Sequence, residues 1–472
     1  MKPIYEMLKA YNEANPLPFH MPGHILGRGL TDEMKAAGSL DITEVPGSDC
    51  LHQPEGVIKD ALMLTAQCFG SDYTFFLVNG STAGIHAMLQ AALDPGDKII
   101  LGRDCHISAL NGLAQINCEP VFVLPEIDNA YRIPSGVTAA ALEPVIKANP
   151  DARGILVTRP GYYGTASNLE DIAQLAEKYR IPLLVDEAHG AHFRFHKNLP
   201  QTAMEAGADL CVQSLHKTLP ALTQTALLHG RNNGIISKDR IEKTVSMVQT
   251  TSPSYILMAS IDIARDIMEK QGEYLYEKLR QLIDEFERKL CRDTGIKRYK
   301  CMNEGIENDF SRIVLNFEDI GISGFMAEEI LRTRYGIVAE MADLNNVVLI
   351  AVPFHTSEDF DKLLSALKNI TQEFGGMREP ENKSILPLWP NFLPERAIPI
   401  RKALFADRHV LPISKSAGEI SGSFITPYPP GIPLICPGEK ITTDMAEYIS
   451  MLKECDYTIH GINNGNIEVI KL

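Results

Sequence analysis

IPLLVDEAHGAHFRFHKNLPQTAMEAGADLCVQSLHK, residues Ile181–Lys217, holds two short apolar runs, Pro182–Val185 and Leu210–Gln213. Each is followed at once by residues able to carry chemistry: Asp186-Glu187-Ala188-His189 after the first, Ser214-Leu215-His216-Lys217-Thr218 after the second. Such runs, closed off by polar residues, read as buried strands. Working outward, the same rhythm extends from about Ser71 to Gly230, with further strand-like runs at Thr74–Val78, Lys98–Leu101, Val121–Leu124, Gly154–Val157 and Thr225–His229. Between them, Ala83–Leu93 and Leu169–Tyr179 carry apolar residues at helical spacing. Alternating strands and helices predict an α/β domain with a mostly parallel central sheet, because parallel strands require crossover connections. Ligands of such sheets bind beyond the carboxyl ends of the strands, where both motifs fall.

The pattern changes after about Ser254. A long helical stretch, Ile256–Lys289, precedes strand-like Arg312–Asn316 and Val347–Ala351 around a helix at Gly324–Tyr335, which suggests a small α+β domain. Residues 375–394 are rich in Pro, Gly and polar side chains and read as a linker. The expected organisation is an N-terminal arm (1–20), a large α/β domain (21–255), the small domain (256–374), the linker (375–394) and a C-terminal domain (395–472). No internal repeat or low-complexity tract is visible.

Composition narrows the function classes. With 45% apolar and 22% charged residues the chain matches folded soluble proteins rather than disordered ones. Its net charge of −15, with no basic stripe, argues against nucleic acid as a partner. Nine scattered cysteines without a Cys-x-x-Cys pair read as thiols in a reducing compartment, not as a disulfide framework or zinc ribbon. The first twenty residues are broken by charges and prolines, and no later run approaches the ~20 apolar residues of a membrane span. A cytoplasmic protein with no membrane partner is expected.

Three motifs fall at predicted strand ends. Asn79-Gly80-Ser81-Thr82-Ala83-Gly84 joins a strand to a helix and could cradle an anion on backbone N–H groups and two hydroxyls. Taken alone, it is equally an ordinary glycine-containing turn. Asp186–His189 also spells a helicase box, but the chain has no Gly-Lys dipeptide and hence no phosphate loop of the NTPase type. His189, His192 and His196 share a helical spacing, yet the strand–loop context predicts no continuous helix, so no metal site is expected. Lys217 is a candidate Schiff-base nucleophile, because a lysine at a shielded strand end can have its amine freed by neighbours and desolvation. His106, in Arg103-Asp104-Cys105-His106-Ile107-Ser108, is a candidate for stacking on a flat ring. A phosphate cup, a ring face, an acid and a lysine together are what pyridoxal phosphate requires.

In these residues the chain resembles the Orn/Lys/Arg decarboxylases, pyridoxal-phosphate enzymes of the aspartate-aminotransferase fold (fold type I). The resemblance runs over nearly the whole length and is carried by FHMPGH (Phe19–His24), GSTAG, DCHIS, VDEAHGAH (Val185–His192), SLHKTLPALTQ (Ser214–Gln224) and YPPGIPLICPGE (Tyr428–Glu439). It implies that Gly80, Ser81 and Thr82 bind the cofactor phosphate, that His106 stacks on the ring and that Asp186 pairs with the ring nitrogen. It further implies His189 beside the cofactor, Ser214 and His216 at the phosphate or the reacting carboxylate, and Lys217 as the Schiff-base lysine. Lys217, His216 and Asp186 would be the catalytic residues, and Glu439 would meet the cationic end of a basic amino-acid substrate.

Some positions depart from the family pattern: Ile25, where Lys is usual after PGH, and Arg159-Pro160-Gly161-Tyr162, where Asn-Pro-Thr-Tyr is common. Both bear on the entrance and substrate side. The chain is similar to the shorter biosynthetic arginine decarboxylases of Gram-positive bacteria, without the receiver-like N-terminal domain of the large acid-induced members. The resemblance therefore implies arginine to agmatine and CO₂ in polyamine biosynthesis, by at least a homodimer. Lysine or ornithine is the nearest alternative substrate. An aminotransferase or aldolase of the same fold, and a silent binding protein, are more distant alternatives.

Overall fold

A computed structural model describes residues 1–375, 392–428, 431–455 and 457–471. By internal contacts the chain divides into two compact units. The first comprises Met1–Leu93, Arg153–Arg159 and Ala173–Leu275, and the second Asp94–Ala152, Pro160–Ile172 and Tyr276–Leu472. The expected linker, residues 375–394, lies outside the described residues except at its ends.

The first unit is organised by five neighbouring strands in the order Tyr73–Leu77, Ala226–Gly230, Leu210–Ser214, Leu183–Asp186 and Ala152–Thr158. The last three are mutually parallel; only Ala226–Gly230 runs against its neighbours. Every residue of Leu183–Asp186, Leu210–Ser214 and Ala226–Gly230 is buried, the pattern of strands covered on both faces, which is why they read as continuous apolar runs. Helix Gly80–Ala92 lies against this sheet at Gly84, where a Cβ would stand 2.5 Å from Leu77 and 2.9 Å from Val212. A side chain there would push the helix, and the turn that starts it, off the strand ends.

In the second unit Lys98–Gly102 and Glu119–Val123 form a parallel pair. A four-stranded antiparallel sheet, ordered Lys297–Arg298, Arg312–Asn316, Asn346–Ile350 and Met341–Ala342, is accompanied by helices Gly324–Tyr335 and Ser357–Phe374. The latter helix starts in a capping box between Thr356 and Asp359. Towards the C-terminus, Ile425, Leu434, Ile435, Ile441, Met445, Ile449, Ile467 and Val469 form a separate apolar core under helix Thr443–Glu454 and strand Asn466–Ile470. Among the described residues no helix is long and apolar enough to cross a membrane.

Candidate active site

Strand register brings the motifs of the first unit to one sheet edge. Leu77 and Ser214 both pair with Ala226, Val212 pairs with Asp186, and Asp186 pairs with Thr158. The chain segments that follow Leu77, Ser214, Asp186 and Thr158 therefore leave the sheet on the same side.

At the first of these ends Gly80 has φ +75°, a conformation L side chains rarely adopt, and the space where its Cβ would stand is open. Its N–H donates to Gln224 O at 2.9 Å, so the cup is tied to the loop that follows Lys217. Asn79 does not cap the helix with its side chain; its Oδ1 accepts the Thr250 N–H instead. The first turn of Gly80–Ala92 therefore begins with N–H groups that no side chain caps, and Ser81 and Thr82 lie in that turn.

Lys217 closes a short 3₁₀ turn, Leu215–Lys217, and its Nζ lies 3.1 Å from His189 Nε2. His216 Nδ1 donates to Thr225 O at 3.1 Å, which leaves Nε2 as the atom this ring can offer elsewhere. Asp186 is buried and accepts the Ala188 N–H on Oδ1 at 3.2 Å. On either side of its strand stand two buried hydroxyl oxygens, Ser214 Oγ and Thr158 Oγ1, that find no hydrogen-bond partner among the described residues. Unsatisfied buried hydroxyls are costly, and these two stand at the edge where ligands of such sheets bind.

In the second unit His106 is the N-cap of helix Ile107–Ile116. Its Nδ1 accepts the Ser108 N–H at 3.2 Å, with Ser108 Oγ at 2.8 Å, so the ring proton resides on Nε2.

Glu439 does not stand where a substrate cation could meet it as a free carboxylate. It is fully buried and held by Arg103, with Nη1 at 2.9 Å from Oε1 and Nη2 at 2.7 Å from Oε2; Cys436 N–H donates to Oε2 at 2.7 Å. Its charge is already matched by a bidentate guanidinium, the strongest partner a carboxylate can have. The Pro-Gly-Glu turn is thus a structural corner. Nothing local announced this, because Arg103 lies 336 residues away in the chain.

Arg159, at one of the departures from the family pattern, is 1% exposed, donates to Glu187 Oε1 at 3.1 Å and Gln201 O at 2.7 Å, and lies 5.5 Å from the Phe193 ring centroid. Ile25 sits at φ +51° in the N-terminal segment, 39% exposed. His189, His192 and His196 are all buried, around the 3₁₀ turn Phe193–Phe195 and not along one helix. Among the described residues no group of three or more His, Cys, Asp or Glu is arranged to hold a metal ion.

Sequence reasoning missed Glu187. Burial pushes its carboxyl up to about 7 while the Arg159 guanidinium pulls the other way. The available signal was two acids in succession at a strand end: alternation sends neighbours to opposite faces, so only one of them can face the ligand edge.

Known proteins align with this chain from end to end. The Orn/Lys/Arg decarboxylase major domain matches residues 2–311, and that family's C-terminal domain matches 393–466. An arginine decarboxylase of Bacillus subtilis (strain 168) is 35% identical, over 100% of this chain and 97% of its own. The Francisella novicida lysine decarboxylase LdcF superposes with a TM-score of 0.86 at 22% identity, over 100% of this chain and 81% of its own. SPT with PLP superposes at 0.53 and 16% identity, over 67% of this chain and 77% of its own. These two likenesses establish the expected α/β architecture, the fold of PLP-dependent enzymes of fold type I. Matched by both domain models of the family and along its full length by a relative 35% identical in sequence, this chain belongs to the Orn/Lys/Arg decarboxylase family.

Proposed function

We propose that the protein decarboxylates arginine to agmatine and CO₂ with pyridoxal phosphate, as a cytoplasmic homodimer serving polyamine biosynthesis. The observation that carries the reading is Lys217 Nζ at 3.1 Å from His189, on a sheet edge shared with Asp186 and with the uncapped helix start at Gly80. The residues fit the cofactor: two orphaned buried hydroxyls and a glycine with open space above it make a cradle for a phosphorylated ring. Arginine is favoured over lysine because the full-length relative at 35% identity is an arginine decarboxylase, whereas the lysine decarboxylase of Pseudomonas aeruginosa matches at 22%. Nine free cysteines suit a reducing compartment, and the exposed side chains of Leu17, Phe19 and Met21 suit coverage by a second copy.

In this reading Ser81, Thr82 and the helix N-terminus hold the phosphate, with the Ser214 hydroxyl adding a donor. Asp186 keeps the ring nitrogen protonated by placing a buried negative charge beside it. The chemistry pyridoxal phosphate would supply when bound is an electron sink for the electron pair left behind by CO₂. Lys217 would hold the cofactor through its amine, and Lys217 or His216, through Nε2, would supply the proton that the α-carbon of the product requires. His106 covers a ring face and His189 steadies the Lys217 amine. Burial around the strand ends excludes water, which favours loss of CO₂ over side reactions.

The test is to incubate cofactor-loaded protein with equimolar arginine, lysine and ornithine and to identify the products by mass spectrometry. Agmatine is expected, and Lys217→Ala should lower its formation by about three orders of magnitude or more. Cadaverine or putrescine instead would move the substrate; keto acids without amines would overturn decarboxylation.

A further inference from the structure

Glu187 is fully buried, yet it binds four donors from three stretches of chain. Oε1 accepts Arg159 Nη1 (3.1 Å) and Ala203 N–H (3.0 Å); Oε2 accepts Gln213 Nε2 (2.7 Å) and faces Cys211 Sγ at 3.5 Å. Its own N–H donates to Val212 O at 2.9 Å. Arg159 returns the link, since its backbone N–H donates to Asp186 O at 2.9 Å. The Asp186 peptide, Arg159 and the Glu187 carboxylate thus form a closed ring of bonds. Beyond Gln213 the contacts continue: Gln213 Oε1 accepts His229 Nε2 at 3.2 Å, and His229 Nδ1 meets Thr74 Oγ1 at 2.8 Å. The chain of contacts reaches four of the five strands of the first unit and, through Arg159, the residue that follows the fifth.

Two of those strands end in the residues assigned to chemistry. Gln213 immediately precedes Ser214 and the Lys217 turn, and Glu187 immediately follows Asp186. A buried ion pair is weak evidence for stability, because apolar side chains of similar volume generally serve as well. What a carboxylate does better is accept from several donors at once and hold them at fixed spacing.

We infer that Glu187, neutralised by Arg159, is a positioning residue that fixes the Asp186 carboxylate and the Ser214–Lys217 turn relative to one another from the side of the sheet edge opposite the ligand. Neither Glu187 nor Arg159 touches substrate or cofactor. Weakening the pair lets the two strand ends drift apart, and the lysine tether and the acid no longer meet the same ring. The inference rests on the pyridoxal-phosphate reading above.

The experiment follows the visible absorption band of lysine-bound cofactor in purified holoenzyme during dialysis against excess inorganic phosphate, together with the thermal midpoint of the same preparations. Glu187→Gln keeps shape and removes charge. It is expected to fold, to release cofactor at least tenfold faster than the parent and to shift the band. Arg159→Met should do the same, and Arg159→Lys, which keeps the cation, should recover part of the loss. Release rates within twofold of the parent for both E187Q and R159M, with an unshifted band, would overturn the inference and leave the pair a structural element only. Should neither variant yield folded protein, Gln213→Leu, which cuts the same link from the other side, decides by the same thresholds. A parent protein that shows no cofactor band overturns the proposed function instead, so the two failures are distinct.

Discussion

The protein buries two arginine–glutamate pairs that look alike in isolation and are wired differently. Arg103 grips Glu439 with both nitrogens, and the other bonds of the pair are local: Glu439 takes the N–H of Cys436, three residues before it, while Arg103 also reaches Leu434 O. Arg159 reaches Glu187 with one nitrogen, and Glu187 spends its remaining capacity on Ala203, at the start of a short helix, and on Gln213, in a neighbouring strand. The first pair is a long tie closing a turn; the second is a node between strands. Burial and chemistry are the same, so the wiring alone distinguishes a corner of the fold from a support of the site.

The largest effects should come from removing one partner of either pair. Arg103→Met and Arg159→Met each leave a carboxylate buried without its cation, and each is expected to cost about 3–5 kcal/mol in denaturant unfolding. A loss below about 1 kcal/mol for one of them would mean that its carboxylate escapes to water, and the likeness between the pairs would fail. Neutralising the stranded acid sharpens the contrast. R103M/E439Q and R159M/E187Q should each regain stability over the single variant, by about 1–3 kcal/mol, since an amide oxygen still serves the backbone N–H. Only R159M/E187Q should keep fast cofactor release; parent-like release from it would erase the distinction drawn here.

His229, at the far end of the node, offers a test through pH. It is fully buried against Phe69, with ring centroids 5.2 Å apart, and burial pushes its pKa down to about 3 from an ordinary 6.5. The folded protein therefore holds the ring neutral while the unfolded chain protonates it. The stability contribution is complete above pH 6.5 and is lost as pH falls towards 3. Stability of the parent should decline more steeply across that window than that of a His229→Phe variant, by up to about 1.4 kcal/mol per pH unit. Parallel pH profiles would show that the ring is hydrated in the folded state.

The smallest effect concerns the orphaned hydroxyl beside the node. Ser214→Ala removes a buried, unpaired polar atom and should stabilise cofactor-free protein by up to about 1 kcal/mol while speeding cofactor release. Destabilisation instead would show that the hydroxyl already has a partner in solution.

Much of the fold was legible because it is written locally. Helices Leu169–Tyr179 and Gly324–Tyr335 and strand Arg312–Asn316 fall where periodicity puts them. Elsewhere the ends moved for identifiable reasons. The helix read from Ala83 begins at Gly80, because Gly, Ser and Thr in a first turn carry no apolar period. The strand read from Val121 begins at Glu119, because Glu119 and Pro120 are recruited by register with Lys98 and Ile99 and not by their own propensity. Of the candidate site, Lys217 and His189 are in contact, and Asp186, Ser214 and the Gly80 turn share one sheet edge. Their spacing was readable because each lies at the end of a strand or within a few residues after it.

The sequence by itself determined the order of strands and helices and which consecutive residues stand at the strand ends, since alternation, periodicity and turn chemistry act over a few residues. Only the tertiary structure decided which charge meets which. The resemblance implies a substrate contact at Glu439, yet the structure pairs it with Arg103 and pairs Arg159 with Glu187, because an acid or a base displays its charge locally but not its partner. That choice is made by packing between segments 28 residues apart in one case and 336 in the other. A buried charge must find an opposite one wherever the chain brings it, and no local pattern records the address.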